Sequence, residues 1–278
     1  MTANGILDPT AVDFERVYDA IVNQTGCASS NDTLGCLRAL PYAALNAILN
    51  STTISAAVSY DKCWSQVKCW PLQNYGLVID GDFFQDRAGA QLQDGWFVHV
   101  PLIIGTNNDE GTSFGPEGIN NDTAFLSYLA SSNVPNASIS TIAVLYPDIP
   151  AIGIPGTFQG RPVSTQPLQY KRSSAFAGDN MMHASRRITS MTWAAENVTT
   201  YSYRFNVLVN GITCAGGSNH FEEVSFVFHN LDGVEYPPAG YAPPFLGELK
   251  SYRELAKVMT LRWSTFVADL DPNTADGK

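Results

Sequence analysis

The sequence predicts an α/β fold on three observations. Leu102, Ile103 and Ile104 form a short apolar run closed by Gly105, the pattern of a strand buried on both faces of a parallel sheet. Thr200–Val207, TYSYRFNV, alternates with period two and is aromatic on one face, which reads as a second sheet strand. Stretches with helical spacing lie before, between and after these two, and strands alternating with helices favour α/β layering.

The elements follow in chain order. Asp8-Pro9 is a helix start with proline at the first helical position, and Phe14, Val17, Tyr18, Ile21 and Val22 carry a helical stripe to Asn23. A second helix is predicted over Asp32–Leu40 and a third over Pro41–Leu49. Cys63–Trp70, CWSQVKCW, is irregular and aromatic and reads as core packing, with a pocket wall as the runner-up. Leu77–Phe84, LVIDGDFF, reads as a strand entering an Asp-Gly turn, and Ala88–Leu92 as a short helix. Beyond the strand around Ile103, helices are expected over Asp122–Ala130 and Ser138–Leu145, each with an Asp or Ser cap. Pro147–Pro162 is a Pro/Gly loop, and Leu168–Asn197 a long helical region. Tyr252, Leu255, Ala256, Met259, Trp263 and Phe266 space as a final helix before the polar tail DLDPNTADGK. Neither an internal repeat nor a linker composition interrupts the 278 residues, so residues 1–278 read as one piece of one domain.

Composition narrows the function classes. The chain is 45% apolar and carries a net charge of −10, which disfavours nucleic acid and anionic membrane surfaces as main partners. It contains no run of eighteen apolar residues, so no membrane span is expected. Six Asn-x-Ser/Thr sequons, at Asn23, Asn31, Asn50, Asn121, Asn136 and Asn197, point together to a glycosylated, secreted protein. Met1–Gly5 lacks the basic and then apolar start of a signal peptide, so a natural N-terminus upstream is expected. Of five cysteines, Cys27 and Cys36 enclose a polar loop and are expected to pair. Cys63 and Cys69 are a second possible pair, leaving Cys214 over. With neither paired CxxC nor a close histidine cluster, a metal site is not expected.

The chemistry-bearing residues sit after the two strands. Asn107-Asn108-Asp109-Glu110-Gly111 falls at the carboxyl end of the first, where open α/β sheets place their chemistry. Cys214-Ala-Gly-Gly-Ser-Asn-His220 follows the second and carries a histidine on a Gly-rich turn. An acid after one strand and a histidine after a later one is the second half of the order Ser…Asp/Glu…His. Gly111-Thr-Ser113-Phe-Gly115 matches G-x-S-x-G, but the strand has already ended and Pro116 follows, so it reads as a decoy. His99 reads as a strand-edge residue and His183 as a packed or exposed helical one. His229 competes weakly with His220 as the base.

Five segments, in order, resemble those of the type-B carboxylesterases and lipases, the family of cholinesterases and secreted fungal lipases. They are Asp80–Phe84 (DGDFF), Val100–Phe114 (VPLIIGTNNDEGTSF), Gly178-Asp179 leading to YSYRFNV, Gly217–Phe228 (GSNHFEEVSFVF), and Trp263–Asn273 with DLDPN. In the last, Leu270 stands where the family has Gly. The segment from Cys27 through CLRAL is similar to the fungal lipase branch. The resemblance spans nearly the whole chain and implies the C-terminal portion of an α/β-hydrolase fold, a central mostly parallel sheet flanked by helices. It implies that Glu110 is the acid and His220 the base of a Ser-His-Glu triad, with Glu223 a structural carboxylate near the histidine. Phe114 reads as lining an acyl pocket or, equally, as core. The implied partners are an ester or lipid substrate and the N-terminal portion of the same enzyme; no metal or cofactor is implied. One departure is clear: no Gly-x-Ser-x-Gly element on a strand-turn-helix precedes Glu110. The nucleophile and oxyanion loop are therefore expected upstream, in a part on the order of 200 residues or more. The rival expectations are a noncatalytic cholinesterase-like binding module and a fragment inactive by itself.

Overall fold

The computed structural model describes residues 6–7, 13–54, 77–79, 81–83, 85–132, 134–162, 166–235 and 243–273. The Asp8-Pro9 helix start, the Cys63–Trp70 segment with its possible disulfide, Asp80, Phe84 and the last five residues lie outside them. The chain divides into two compact units, Thr2–Gln91 and Leu92–Lys278.

In the first unit, strands β1 (Ile6–Leu7) and β2 (Leu77–Val78) pair in parallel. The strand expected to reach Phe84 is thus two residues long, because Gly81 takes a left-handed φ of 77° and Gly81–Phe83 bend away. Helix α1 (Asp13–Gln24) presents Val17, Ile21 and Val22 to a small core shared with Cys27, Leu37 and Ile54. Helix α2 (Thr33–Ala39) starts where the Asp32 carboxylate accepts a hydrogen bond from the Gly35 N–H, satisfying one of the helix's orphan donors. Helix α3 (Tyr42–Leu49) starts at Pro41. The disulfide joins Cys27 to Cys36 across nine residues, with the Cα atoms 5.7 Å apart. It fastens the turn after α1 to α2 beside this core and restricts the unfolded chain. Helix α4 spans Ala88–Gln93.

The second unit is built on two parallel strands, β3 (Leu102–Asn107) and β4 (Thr200–Phe205), paired in register from Leu102 opposite Thr200 to Asn107 opposite Phe205. The register brings both carboxyl ends to one edge, so the turns after the two strands emerge side by side. The two-faced burial expected of β3 is not found. Leu102–Gly105 are half-buried and only Thr106 and Asn107 are buried, because β4 is the one strand that pairs with β3 among the described residues. Phe205 at the end of β4 packs with Val209, Phe226, Phe245 and Ala256 into the core beneath the site.

Helices flank this pair. They are α5 (Gly111–Phe114), α6 (Asp122–Ser131), α7 (Asn136–Leu145), α8 (Tyr170–Gly178), a π-helical turn (Asp179–His183), α9 (Ala184–Ala195), α10 (Val224–Val227) and α11 (Lys250–Asp269). The caps differ from those expected. The Asn121 side chain caps α6 by accepting from the Ala124 N–H, and α7 starts two residues early, at Asn136, behind an N-cap Pro135 that makes no side-chain cap. Proline pre-sets the φ of a first turn, which replaces the cap at α7. His99 lies before β3 rather than on it, its ring 4.6 Å from that of Phe97. His229 sits in a left-handed turn after α10, with φ 52°.

Arg172 on α8 ties three helices together. Its guanidinium bonds Asp122 on α6 at 2.8 Å, the carbonyls of Ala143 on α7 and of Tyr146 just after it, and stacks 3.8 Å over the Phe125 ring. A buried cation is tolerated because every face of it is paired.

Helix α11 ends at Leu270, whose φ of 59° is left-handed. That is the position where the resembled family carries Gly, and glycine adopts this conformation without the clash a Cβ brings. Leu270→Gly is therefore expected to raise stability by about 1 kcal/mol, read as a higher Tm; an unchanged or lower Tm would show that the turn relieves the strain.

Candidate active site

Glu110 and His220 are brought together by the parallel register. The turn after β3 delivers Glu110 as the first residue before α5, and the loop after β4 delivers His220. The Glu110 Oε2 lies 2.7 Å from the His220 Nδ1, and the Glu110 Oε1 accepts from the Asn107 N–H at 2.8 Å. Both carboxylate oxygens are thus held, on a side chain only 6% exposed. The acceptor on Nδ1 requires that nitrogen to carry the proton, so in the neutral ring Nε2 is the basic nitrogen. Nε2 makes no hydrogen bond among the described residues, and the side chain is 45% exposed. The bond from Glu110 raises the His220 pKa above its ordinary value; burial opposes it, and the charges of Glu110 and Glu223 add to it.

Glu223 reaches the pair indirectly. Its Oε2 accepts from the Asn107 Nδ2 at 2.5 Å, and the same amide donates to the Asn219 carbonyl at 2.6 Å. Asn107 therefore joins the acid, the histidine loop and the second carboxylate. Phe114, expected in a pocket or in the core, packs its ring edge-on against His220, with centroids 4.8 Å apart. Ser113 is exposed on α5, where its Oγ accepts a long bond (3.4 Å) from the His220 backbone N–H. Among the described residues no hydrogen bond joins it to the imidazole.

Two glycines permit the approach of the two loops. A Cβ on Gly111 would lie 1.9 Å from the Ser174 carbonyl, so α5 packs backbone to backbone on α8 only with glycine there. Gly217 has a left-handed φ of 64°, and a Cβ would meet the Asp109 carboxylate at 2.4 Å. The sequence reading marked the Gly-rich turns but not these contacts.

Asn107 and Asp109, placed by the sequence in the acid turn but given no role of their own, lie beside the pair, and so does His183, packed in its helix as one of the two expected alternatives. His183 is buried in the π-helical turn. Its Nε2 lies 3.3 Å from the Asn108 carbonyl and must be the donor there, so Nδ1 accepts from the Thr106 hydroxyl at 2.9 Å. Burial, then the charge of Arg204, hold its pKa below the ordinary value, which favours the neutral ring. A polar run at a strand end was the available signal, since buried polar groups need partners from elsewhere in the chain. The six sequon asparagines are all exposed.

Similarity to known proteins agrees with this architecture. Secreted lipase 4 of Gibberella zeae is 28% identical over 243 residues, 86% of this chain and 40% of that protein. Lipase 2 of Geotrichum candidum is 28% identical over 267 residues, 93% of this chain and 44% of that one. The chain thus spans less than half the length of these curated relatives. The crystal structure of Aspergillus niger EstA superposes with a TM-score of 0.64 at 20% identity, covering 97% of this chain and 49% of that one, which shows the shared α/β fold. The model of the carboxylesterase family matches residues 5–278, and the chain belongs to that family.

Proposed function

We propose that the chain is the C-terminal portion, within a single catalytic domain, of a secreted serine carboxylic-ester hydrolase, an esterase or lipase. In this reading Glu110 and His220 are the acid and base of a Ser-His-Glu triad. The observation that carries it is the 2.7 Å bond between Glu110 Oε2 and His220 Nδ1, with the second carboxylate oxygen pinned by a backbone N–H. The nucleophilic serine and the oxyanion donors lie outside the chain. His220 Nε2 takes the proton of that serine as its oxygen adds to the ester carbonyl, and Glu110 stabilises the imidazolium. The tetrahedral intermediate collapses with His220 donating the proton to the departing alcohol, leaving an acyl-enzyme. Water, deprotonated by the same nitrogen, then releases the acid. No step calls for a metal or cofactor. The substrate is an ester or lipid, as the names of the lipase relatives suggest. Secretion is supported by the disulfide, the six exposed sequons and the secreted relative. No helix among the described residues is long and apolar enough to cross a membrane.

His220→Ala in the full-length protein containing this chain tests the reading with a short-chain p-nitrophenyl ester. Loss of turnover by about 10³-fold or more, with the fold intact by circular dichroism, is expected. Turnover within a few fold of the parent would remove His220 from the reaction.

A further inference from the structure

We propose that Asp109 is a positioning residue that sets the distance between Glu110 and His220 by clamping the acid turn to the histidine loop. The inference rests on the reading of that pair as the acid and base.

Asp109 is 1% exposed and precedes Glu110 directly, while Ser218, also 1% exposed, lies two residues before His220. The two form a reciprocal pair: the Asp109 N–H donates to the Ser218 carbonyl at 2.8 Å, and the Ser218 N–H donates to Asp109 Oδ2 at 2.8 Å. The other carboxylate oxygen, Oδ1, accepts from Asn108 Nδ2 at 2.7 Å. Bonds and backbone then close a small ring through Asp109, Glu110, His220, Asn219 and Ser218. With two residues on one side and three on the other, the ring fixes how far the imidazole stands from the carboxylate. Gly217 completes the arrangement, because a Cβ there would sit on Asp109 Oδ2. Burying a carboxylate is costly, and here burial is the main influence on Asp109, raising its pKa despite its hydrogen bonds. A buried charge that only filled space would be replaced to advantage by an apolar residue; one whose two oxygens both accept from the catalytic loops has a geometric task.

The chemistry of the clamp dictates its test. An amide has one acceptor oxygen where the carboxylate has two, and both are used. Asp109→Asn can keep both bonds if the Asn108 amide turns over to accept from the new NH₂, whereas Asp109→Ala removes both acceptors and leaves the Ser218 N–H and the Asn108 amide without them. The swap Asn108→Asp/Asp109→Asn keeps both, since Asp at 108 accepts from the new amide. Asp109→Glu keeps the charge but lengthens the side chain in a filled space. The charges acting on His220 are those of Glu110 and Glu223; those nearest Asp109 are Arg204, His183 and Lys171.

In the full-length protein, Asp109→Ala and Asp109→Glu are expected to lower kcat by about 10–100-fold with KM within about twofold, the scale of a sub-ångström to ångström misplacement. The acid limb of the pH–rate profile should move down toward the ordinary imidazole value of about 6.5, and the low-field proton signal of His220 Nδ1–H should broaden or vanish. The swap should keep kcat, limb and signal at the parent's values. A merely structural Asp109 would lower Tm and leave the limb and signal in place, and that result overturns the proposal. So does a normal Asp109→Glu beside a defective Asp109→Ala, which would assign the effect to charge. If Asp109→Ala does not fold, the swap decides by keeping all three readouts at the parent's values or failing to. The Nδ1–H signal is read without substrate, so a parent protein with no esterase activity would refute the enzymatic reading while the clamp is still judged.

Discussion

Glu110→Gln is expected to lower kcat by about 10⁴-fold with little change in KM, the order seen when a triad carboxylate becomes an amide. The reason is the tautomer. The glutamine carbonyl can still accept from the Asn107 N–H, as Glu110 Oε1 does at 2.8 Å. Its NH₂ then faces His220 Nδ1 and donates to it. The ring must accept on Nδ1, so its proton moves to Nε2, and the nitrogen that has to take the serine proton no longer has a free lone pair. Flipping the amide instead breaks the Asn107 bond in a buried site, which costs a buried donor its partner. The pH dependence carries a second signature. In the proposed mechanism His220 works as a base in its neutral form, so activity is expected to rise as pH climbs through its pKa. In the parent that pKa is raised, chiefly by the bond from Glu110, and the acid limb lies above about 6.5. In the variant the residual limb should fall toward or below that value. Activity within tenfold of the parent, or an unmoved limb, would show that Glu110 does not act on the imidazole.

The pair was legible in the sequence, and the supports around it were not. Glu110 and His220 each follow a strand with a readable pattern, and the α/β rule sends both to the same sheet edge. Asn107 and Asp109 belong to the same acidic turn, but their positions in the sequence name no partner for them. Nothing local reveals that Asp109 is buried against Ser218, 109 residues away. The π-helical turn at Asp179–His183 is invisible to a 3.6-residue period, since it inserts a residue into an otherwise regular pattern, yet it packs His183 against the turn that carries the acid. Arg172 lies within the helical region expected over Leu168–Asn197, and three helices converge on it only through tertiary contacts. The half-exposed β3 is the opposite case. Its residues carry the pattern of a fully buried strand, and their burial is incomplete because one strand pairs with it among the described residues.

Residues 1–278 by themselves are expected to hydrolyse no p-nitrophenyl ester above the rate of buffer, and co-expression with the N-terminal portion of the protein is expected to restore turnover. The chemical link is direct. A histidine and a glutamate can activate a nucleophile but are not one, and without oxyanion donors no tetrahedral intermediate is stabilised. The one serine in a Gly-x-Ser-x-Gly pattern, Ser113, does not supply the missing part. It lies within the four-residue helix α5, after β3 has ended and not on a strand-to-helix elbow, and its Oγ takes the backbone N–H of His220 as partner. The structural link concerns the sheet. Leu102–Gly105 are only half-buried on a strand paired along one edge, and Trp96, Val98 and Val100 just before it are exposed at 60%, 72% and 52%. Unpaired apolar strand edges associate with one another, so the lone chain should aggregate where the co-expressed pair stays soluble. Ser113→Ala in the restored protein should leave turnover unchanged. Turnover by the lone chain that disappears in Ser113→Ala would make Ser113 the nucleophile and place the whole reaction within these residues.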